Sequence, residues 1–150
     1  MSETYWFVGT HNRVLLDGAA TGGAYDLLEQ VAEPGHQPPP HVHHAQGEGW
    51  VVLDGEITVS TATGDTVVPA GEAIFSPAGE AHTFRVSSDG PARMLVCTVP
   101  AGFVDFVRAF GTPAADDEMP PQAPPNVTRL TAVAAEHGIE MLPSLEAMSV

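Results

Sequence analysis

Residues 35–55 of the chain read GHQPPPHVHHAQGEGWVVLDG, a segment that combines strand, turn and histidine signals. His41 and His43 are two positions apart, so on a β-strand their side chains point to the same face with β-carbons about 6.5–7 Å apart. This spacing allows both imidazoles to bind one metal ion, whereas His44 must point the opposite way. Glu48 begins the next predicted strand, which is otherwise apolar. The segment therefore predicts that two histidines and a carboxylate face a common interior.

A later strand carries a third histidine on its inward face. His82 shares a strand face with Phe84 and Val86, and the intervening side chains are polar. The same two-residue period places Glu48 on the face of Trp50, and a charge on a core face requires a compensating partner. Three imidazoles and one carboxylate suit a divalent transition metal such as Fe, Mn, Ni, Co, Cu or Zn. We therefore predict one metal site, formed by His41, His43, Glu48 and His82.

The remaining sequence up to about residue 100 favours β-structure. About ten short β-favouring runs lie between Tyr5 and Val99, separated by Gly, Pro, Asp and Asn, which is typical of a sandwich or barrel. Asp54 and Gly55 give the clearest hairpin signal, because an Asp-Gly pair tolerates the positive φ of tight turns. These runs predict an all-β fold.

Helical spacing replaces the β pattern after Pro100. Three phenylalanines recur at helical intervals within 103–110, which predicts a short helix. Residues 112–125 are rich in proline and acidic side chains, so they predict a linker or an extended excursion. Asn126 can cap a second helix. The C-terminal part is therefore expected to add short helices to the β core.

Length, composition and charge limit the possible classes of protein. With 150 residues, 43% of them hydrophobic, a single domain over 1–150 is expected, with a barrel core at about 21–100 and a helical extension at about 101–150. The net charge of −14 repels phosphate backbones and anionic lipids, which argues against nucleic-acid and membrane partners. The chain has a single cysteine, Cys97, which cannot form an internal disulfide and so gives no evidence of an oxidising compartment. We therefore expect a cytoplasmic protein.

Both histidine segments resemble the conserved motifs of the cupin superfamily. The pattern G-x5-H-x-H-x(3,4)-E-x6-G is matched by Gly35, His41, His43, Glu48 and Gly55. The pattern G-x5-P-x-G-x2-H-x3-N is matched by Gly71, Pro77, Gly79 and His82, with Val86 in place of the final Asn. The resemblance implies a double-stranded β-helix, the jelly-roll barrel of cupins, with the metal inside it.

Within that superfamily, the chain is most similar to single-domain proteins of the quercetin 2,3-dioxygenase type. This resemblance implies a metal-dependent dioxygenase of a small aromatic or enol-bearing substrate, with Glu48 as a metal ligand and as the base that accepts the substrate's proton. It also implies a homodimer. Two alternatives stay open: a cyclase, isomerase or dehydratase that uses the metal as a Lewis acid, and a non-catalytic cupin that binds a small ligand.

Aromatic side chains near the predicted ligands are candidates for the wall of a substrate pocket. Trp50 and Phe84 share strand faces with ligands, and the phenylalanines of the first C-terminal helix are placed to close one mouth of the barrel. His36 and His44 are expected at the surface or behind the ligands. The predicted pocket residues are Trp50, Phe75, Phe84, Phe103 and Phe106.

Overall fold

A computed structural model of the chain describes residues 3–114 and 117–149. Its strands, in chain order, are β1 (Glu3–Phe7), β2 (Thr10–Leu16), β3 (Asp26–Ala32), β4 (His41–His43), β5 (Gly47–Asp54), β6 (Glu56–Thr61), β7 (Gly64–Pro69), β8 (Ala73–Ser76), β9 (Ala81–Val86), β10 (Ala92–Val99), β11 (Thr112–Pro113) and β12 (Ile139–Met141). Its helices are α1 (Gly18–Thr21), α2 (Phe103–Phe110), α3 (Val127–Glu136) and a 3-10 segment, Leu145–Ser149.

These strands form two antiparallel sheets around one core. The first sheet has the order β11-β1-β2-β3-β10-β5-β8, and the second has the order β12-β4-β9-β6-β7. Side chains alternate between the core and the outside along each strand, so Met94 and Val96 on β10 are buried while Leu95 between them is only partly buried. Met94 belongs to one core cluster with Ile57 and Val59 of the second sheet. The predicted all-β jelly roll is confirmed.

The strand and turn predictions agree closely with this architecture. Each predicted run forms one of the strands β1 to β10, and Gly55 has a φ of 77° in the turn between β5 and β6. A β-carbon at Gly55 would lie 2.6 Å from the Pro91 carbonyl oxygen, so only glycine fits this turn. Two short strands, β11 and β12, were not predicted. Both pair with strands far away in the sequence, and no local pattern indicates such a pairing.

Helix α2 occupies the predicted span and is held against the barrel by a buried carboxylate. Asp26 on β3 accepts hydrogen bonds from the backbone N–H groups of Gly102 (2.9 Å) and Val104 (3.0 Å). A negative charge at this position is favourable because the N-terminus of a helix carries a partial positive charge. The contact fixes the helix so that Phe103 and Phe106 are buried in the core.

The C-terminal segment returns to the barrel after the proline-rich region. Residues 115 and 116 of the predicted linker over 112–125 lie outside the described residues. Asn126 caps α3 as predicted, because its side chain accepts a hydrogen bond from the Arg129 N–H at 3.1 Å. The chain then forms β12, which pairs with β4. Among the described residues, no helix is long and apolar enough to cross a membrane.

Candidate metal centre

Three strands bring the four predicted ligands together inside the barrel. Strand β4 carries His41 and His43, β5 carries Glu48, and β9 carries His82. The pairing of β4 with β9 sets His41 directly opposite His82. One donor atom from each of the four side chains lies within 4.8 Å of the other three. The parity of the strands, read from the sequence, therefore identified side chains that converge on one point.

Three of the four donor atoms at this point are buried and lack hydrogen-bond partners. Nε2 of His43 lies 2.8 Å from Oε2 of Glu48, and Nε2 of His82 lies 3.4 Å from the same oxygen. None of these three atoms makes a hydrogen bond of acceptable geometry. Buried polar atoms normally find a partner. The site offers three nitrogens and one oxygen, and most of these atoms have no hydrogen-bond partner. Such a donor set fits a divalent metal ion.

Hydrogen bonds behind the ligands orient two of the imidazole rings. Nδ1 of His41 donates to the Pro39 carbonyl oxygen at 2.8 Å, and Nδ1 of His82 lies 3.0 Å from the Glu80 carbonyl oxygen and 3.1 Å from Oγ of Ser76. The Ser76 hydroxyl itself donates to Oε1 of Glu80 at 3.0 Å. A proton held at Nδ1 leaves the Nε2 lone pair directed at the metal position.

Burial and mutual contact set the charges of the ligands before a metal binds. Burial, together with the neighbouring His82 and His43 rings, lowers the pKa of His41 to about 3. Burial alone would raise the pKa of Glu48, but His43 and His82 outweigh it and hold this pKa well below its usual value. Burial would lower the pKa of His82, but the Glu48 carboxylate outweighs it and raises this pKa. The centre therefore combines an ionised carboxylate, a neutral His41 and a His82 that retains its proton readily.

Metal affinity is expected to fall as the pH is lowered through the pKa of His82. Because that pKa lies above its ordinary value of 6.5, a metal must displace a proton from this ring at pH values where an ordinary histidine has already lost it. His41 does not compete, since a pKa of about 3 keeps it neutral. Calorimetric titration with Zn²⁺ between about pH 5.5 and 8 should show more proton release at the lower pH values. Affinity that does not change with pH would contradict these ligands.

A largely apolar cavity adjoins the metal centre. It contains about 560 Å³ of empty space, including its part open to solvent, and His41, His43 and Glu48 lie on its surface. Its apolar walls include Phe84, Val96, Phe103, Phe106, Leu130 and Ile139. A ring system bound here would touch the predicted metal ligands directly.

Three of the five predicted pocket residues lie on this cavity. Phe84, Phe103 and Phe106 line it. Trp50 does not, because it is 1% exposed and packs behind a ligand, with its indole centre 5.3 Å from the ring of His82. Trp50 lies on the inward face, as predicted. Its side chain packs in the core against the His82 ring and does not form the surface of this cavity.

Phe75, a predicted pocket residue, lies on the opposite side of its sheet, away from this cavity. Its neighbour Ser76 is paired with Glu48 and points inward, so the alternation of side chains turns Phe75 outward. The ring is 59% exposed and lies over Gly47, where an added β-carbon would come within 2.3 Å of its Cζ atom. Strand β8 has only four residues with apolar side chains on both faces, so its sequence does not reveal which face is buried.

Other cavity residues were missed by the sequence reasoning. Phe7 and Thr10 reach the cavity from the β1–β2 hairpin, and Gln30 reaches it from β3. His36, expected at the surface or behind the ligands, also lines it. The alternation of β3 would have identified Gln30 as an inward polar residue. By contrast, His44 is exposed, as expected, and pairs with a surface glutamate of β12.

Comparison with known proteins agrees with the fold. The Cupin domain family matches residues 28–98. Quercetin 2,3-dioxygenase of Bacillus subtilis (strain 168) is 27% identical over 126 residues, which are 84% of this chain and 37% of that protein. This chain thus spans little more than a third of the length of that curated relative.

Two solved structures show the same likeness. The polyketide cyclase RemF from Streptomyces resistomycificus is 30% identical with a TM-score of 0.53, over 61% of this chain and 65% of that one. A sugar phosphate isomerase of the cupin superfamily from Silicibacter pomeroyi DSS-3 is 26% identical with a TM-score of 0.54, over 63% of this chain and 61% of that one. The matched motifs, the jelly roll and these relatives together identify residues 28–98 as a domain of the cupin superfamily.

Proposed function

We propose that the protein is a metal-dependent dioxygenase that acts on a small aromatic or enol-bearing substrate. The observation that carries this proposal is the convergence of three imidazoles and one carboxylate at the wall of an apolar cavity, where the donor atoms of His43, Glu48 and His82 lack hydrogen bonds. The similarity to quercetin 2,3-dioxygenase over most of the chain supports the choice of reaction.

His41, His43, Glu48 and His82 would hold the metal. A divalent ion bound there would act as a Lewis acid that lowers the pKa of a substrate hydroxyl and favours its reaction with O₂. Glu48 would accept the hydroxyl proton, because its carboxylate is ionised and lies on the cavity surface. Ser76 and the Glu80 carbonyl oxygen would keep His82 in one orientation while that proton moves.

The walls of the cavity perform the remaining tasks. Phe103 and Phe106 stand edge to face, with ring centres 6.1 Å apart, and Phe7 contacts both rings. These rings offer apolar faces to a flat substrate and limit the access of water to the carboxylate. Exclusion of water favours proton transfer from the substrate over exchange with solvent.

A cyclase or isomerase is the second candidate, and the 30% identity to a polyketide cyclase favours it. In that reaction Glu48 would move a proton between two positions of one substrate, and no O₂ would be consumed. The same metal ligands and the same cavity serve both reactions. Consumption of O₂ therefore distinguishes them.

Oxygen uptake tests the proposed reaction. The purified protein is analysed for its metal, stripped, and reloaded separately with Fe²⁺, Mn²⁺, Ni²⁺, Co²⁺, Cu²⁺ and Zn²⁺, and each form is mixed with a flavonol in an oxygen electrode. We expect uptake in proportion to substrate consumed in at least one form, and none in the stripped protein. Turnover without uptake would favour the cyclase or isomerase, and ligand binding without turnover in any form would contradict both.

The homodimer and the cytoplasmic location stay predictions. Phe75 and Val51 are exposed apolar side chains on the outer face of the first sheet, which is the kind of surface a second copy would cover.

A further inference from the structure

The cavity has a second polar region, formed by Thr10, Gln30 and His36, which we call the distal polar group. None of its members belongs to the proposed metal ligands. Thr10 is 2% exposed, Gln30 is 5% exposed, and His36 is half-buried. Polar side chains in an otherwise apolar cavity fix the orientation and identity of a ligand.

Gln30 lies far from Glu48 along the first sheet. Thr98 pairs with Glu48 on one side and with Asp26 on the other, so these three residues form one row across the strands. Gln30 is four residues beyond Asp26, which places its Cα roughly 13 Å along the strands and roughly 10 Å across them from that of Glu48. A ligand that touches both side chains must be longer than one six-membered ring.

The second sheet places His36 at the same end of the barrel. The Val86 N–H donates to the carbonyl oxygen of His36 at 3.0 Å, and Val86 is four residues from His82 on β9, again roughly 13 Å away. The His36 ring also contacts the turn before Thr10, since a β-carbon added at Gly9 would lie 3.1 Å from its Cε1 atom. Both sheets thus separate the distal polar group from the metal centre.

The distal polar group, whose residues line the cavity, retains unused hydrogen-bonding capacity. Nε2 of Gln30 donates to Oδ1 of Asn12 at 2.8 Å, Asn12 donates to Oγ1 of Thr10 at 2.9 Å, and Thr10 donates to the Phe7 carbonyl oxygen at 2.6 Å. These bonds fix the Gln30 amide and leave its Oε1 as an acceptor. Within residues 3–114 and 117–149, no side-chain hydrogen bond uses this oxygen or a ring nitrogen of His36.

Charge restricts the ligand further. The chain has no lysine, and no arginine lies among the described residues that line the cavity. Arg13, Arg93 and Arg108 instead form ion pairs with acidic side chains elsewhere. Burial lowers the pKa of His36, so its ring is neutral near pH 7. A phosphate or carboxylate at the distal end would therefore be desolvated without a cation, which is costly.

We propose that the cavity binds a neutral, planar ligand of at least two linked rings, whose far end carries a hydroxyl group that is hydrogen-bonded by Gln30 and His36. This assignment rests on the proposed function because the same cavity would receive the substrate. The hydroxyl donates to Oε1 of Gln30 and exchanges a second hydrogen bond with the neutral His36 ring. The metal centre and the distal polar group together determine which ring systems are accepted.

Matched probes test the assignment by binding, independently of turnover. The metal-loaded protein is titrated without O₂ with 3-hydroxyflavone, 3,7-dihydroxyflavone, 3,4′-dihydroxyflavone and 3-hydroxyflavone-4′-carboxylate, and dissociation constants are measured by fluorescence quenching. We expect at least one dihydroxy probe to bind about 3- to 10-fold more tightly than 3-hydroxyflavone, the range for one neutral hydrogen bond. The carboxylate probe should bind more weakly than 3-hydroxyflavone.

Two variants assign the preference to residues. Gln30→Met and His36→Leu should each remove the advantage of the added hydroxyl while 3-hydroxyflavone still binds. If Gln30→Met lowers the thermal stability of the protein too far, His36→Leu alone provides the test. Gln37→Met, at an exposed neighbouring position, should keep the advantage. Equal affinities of the neutral probes in the unchanged protein, failure of every neutral probe to bind, tightest binding of the carboxylate probe, or an unchanged preference in both variants would overturn the assignment.

Failure of the proposed function gives a different result. If the hydroxyl preference is present but no loaded form consumes O₂, the dioxygenase is contradicted and the ligand class stands. If O₂ is consumed but the preference is absent, the distal polar group is contradicted and the dioxygenase stands.

Discussion

Replacement of His43 or His82 with alanine is expected to lower the affinity for a divalent metal by more than about 100-fold, because changes behind a metal ligand alone cost 10- to 100-fold. Each substitution removes a buried nitrogen whose lone pair points at the metal position, and no other described nitrogen in that cluster can replace it. Metal content after dialysis, measured by elemental analysis, should fall from near one ion per chain to a small fraction.

His44→Ala is the matched control for this loss. His44 follows His43 directly, but its side chain is exposed and pairs with Glu140 at 2.9 Å. This variant should keep its full metal content, since a surface ion pair contributes little to stability. Full metal retention in both His43→Ala and His82→Ala would contradict the ligand assignment. Equal loss in His44→Ala would show that unfolding, not ligand removal, is being measured.

Glu48→Gln is expected to lower turnover by roughly 10²- to 10⁴-fold at saturating metal, the usual contribution of a positioned base. Glutamine keeps the size and one oxygen of the side chain but cannot accept the substrate's proton. The carboxylate in the unchanged protein is ionised because His43 and His82 hold its pKa well below the usual value. The rate is measured with metal in excess, so that a weaker metal site does not limit it.

Glu48→Asp separates the charge from its position. Aspartate can still accept a proton but is one methylene shorter, so this variant should retain more turnover than Glu48→Gln. Turnover of Glu48→Gln equal to that of the unchanged protein, at equal metal content, would remove the role of Glu48 as a base. Identical losses in both variants would show that position, not proton transfer, limits the reaction.

The proposed metal ligands and much of the cavity wall come from different parts of the chain. The family-matched residues 28–98 contain all four proposed metal ligands. Much of the cavity wall comes from outside that range, including Thr10 of the first hairpin, Phe103 and Phe106 of α2, and Ile139 of β12. We expect changes in these outer segments to alter which ligand is bound without changing the proposed metal ligands.

The sequence was most informative where chemistry depends on local geometry. The two-residue period of a strand places His41 and His43 on one face whatever the rest of the fold does. Motif spacing then links them with Glu48 and His82, and the structure brings these four side chains within 4.8 Å of one another. Helix α2 was predictable for the same reason, because its apolar side chains recur at the period of a helix.

The cavity, by contrast, depends on contacts between distant segments. The direction of Phe75 follows from the pairing of Ser76 with Glu48, and its own four-residue strand does not contain that information. Thr10, Gln30 and His36 meet only because β2 pairs with β3 and the loop after β3 is bonded to Val86 on β9.

Strand parity and motif spacing are local properties, so the cupin barrel and the four proposed metal ligands could be predicted from the sequence alone. The residues that line the cavity and the position of its second polar region became clear only from the fold. Strand pairing across tens of residues sets those positions, and no short stretch of sequence encodes the register of a distant partner.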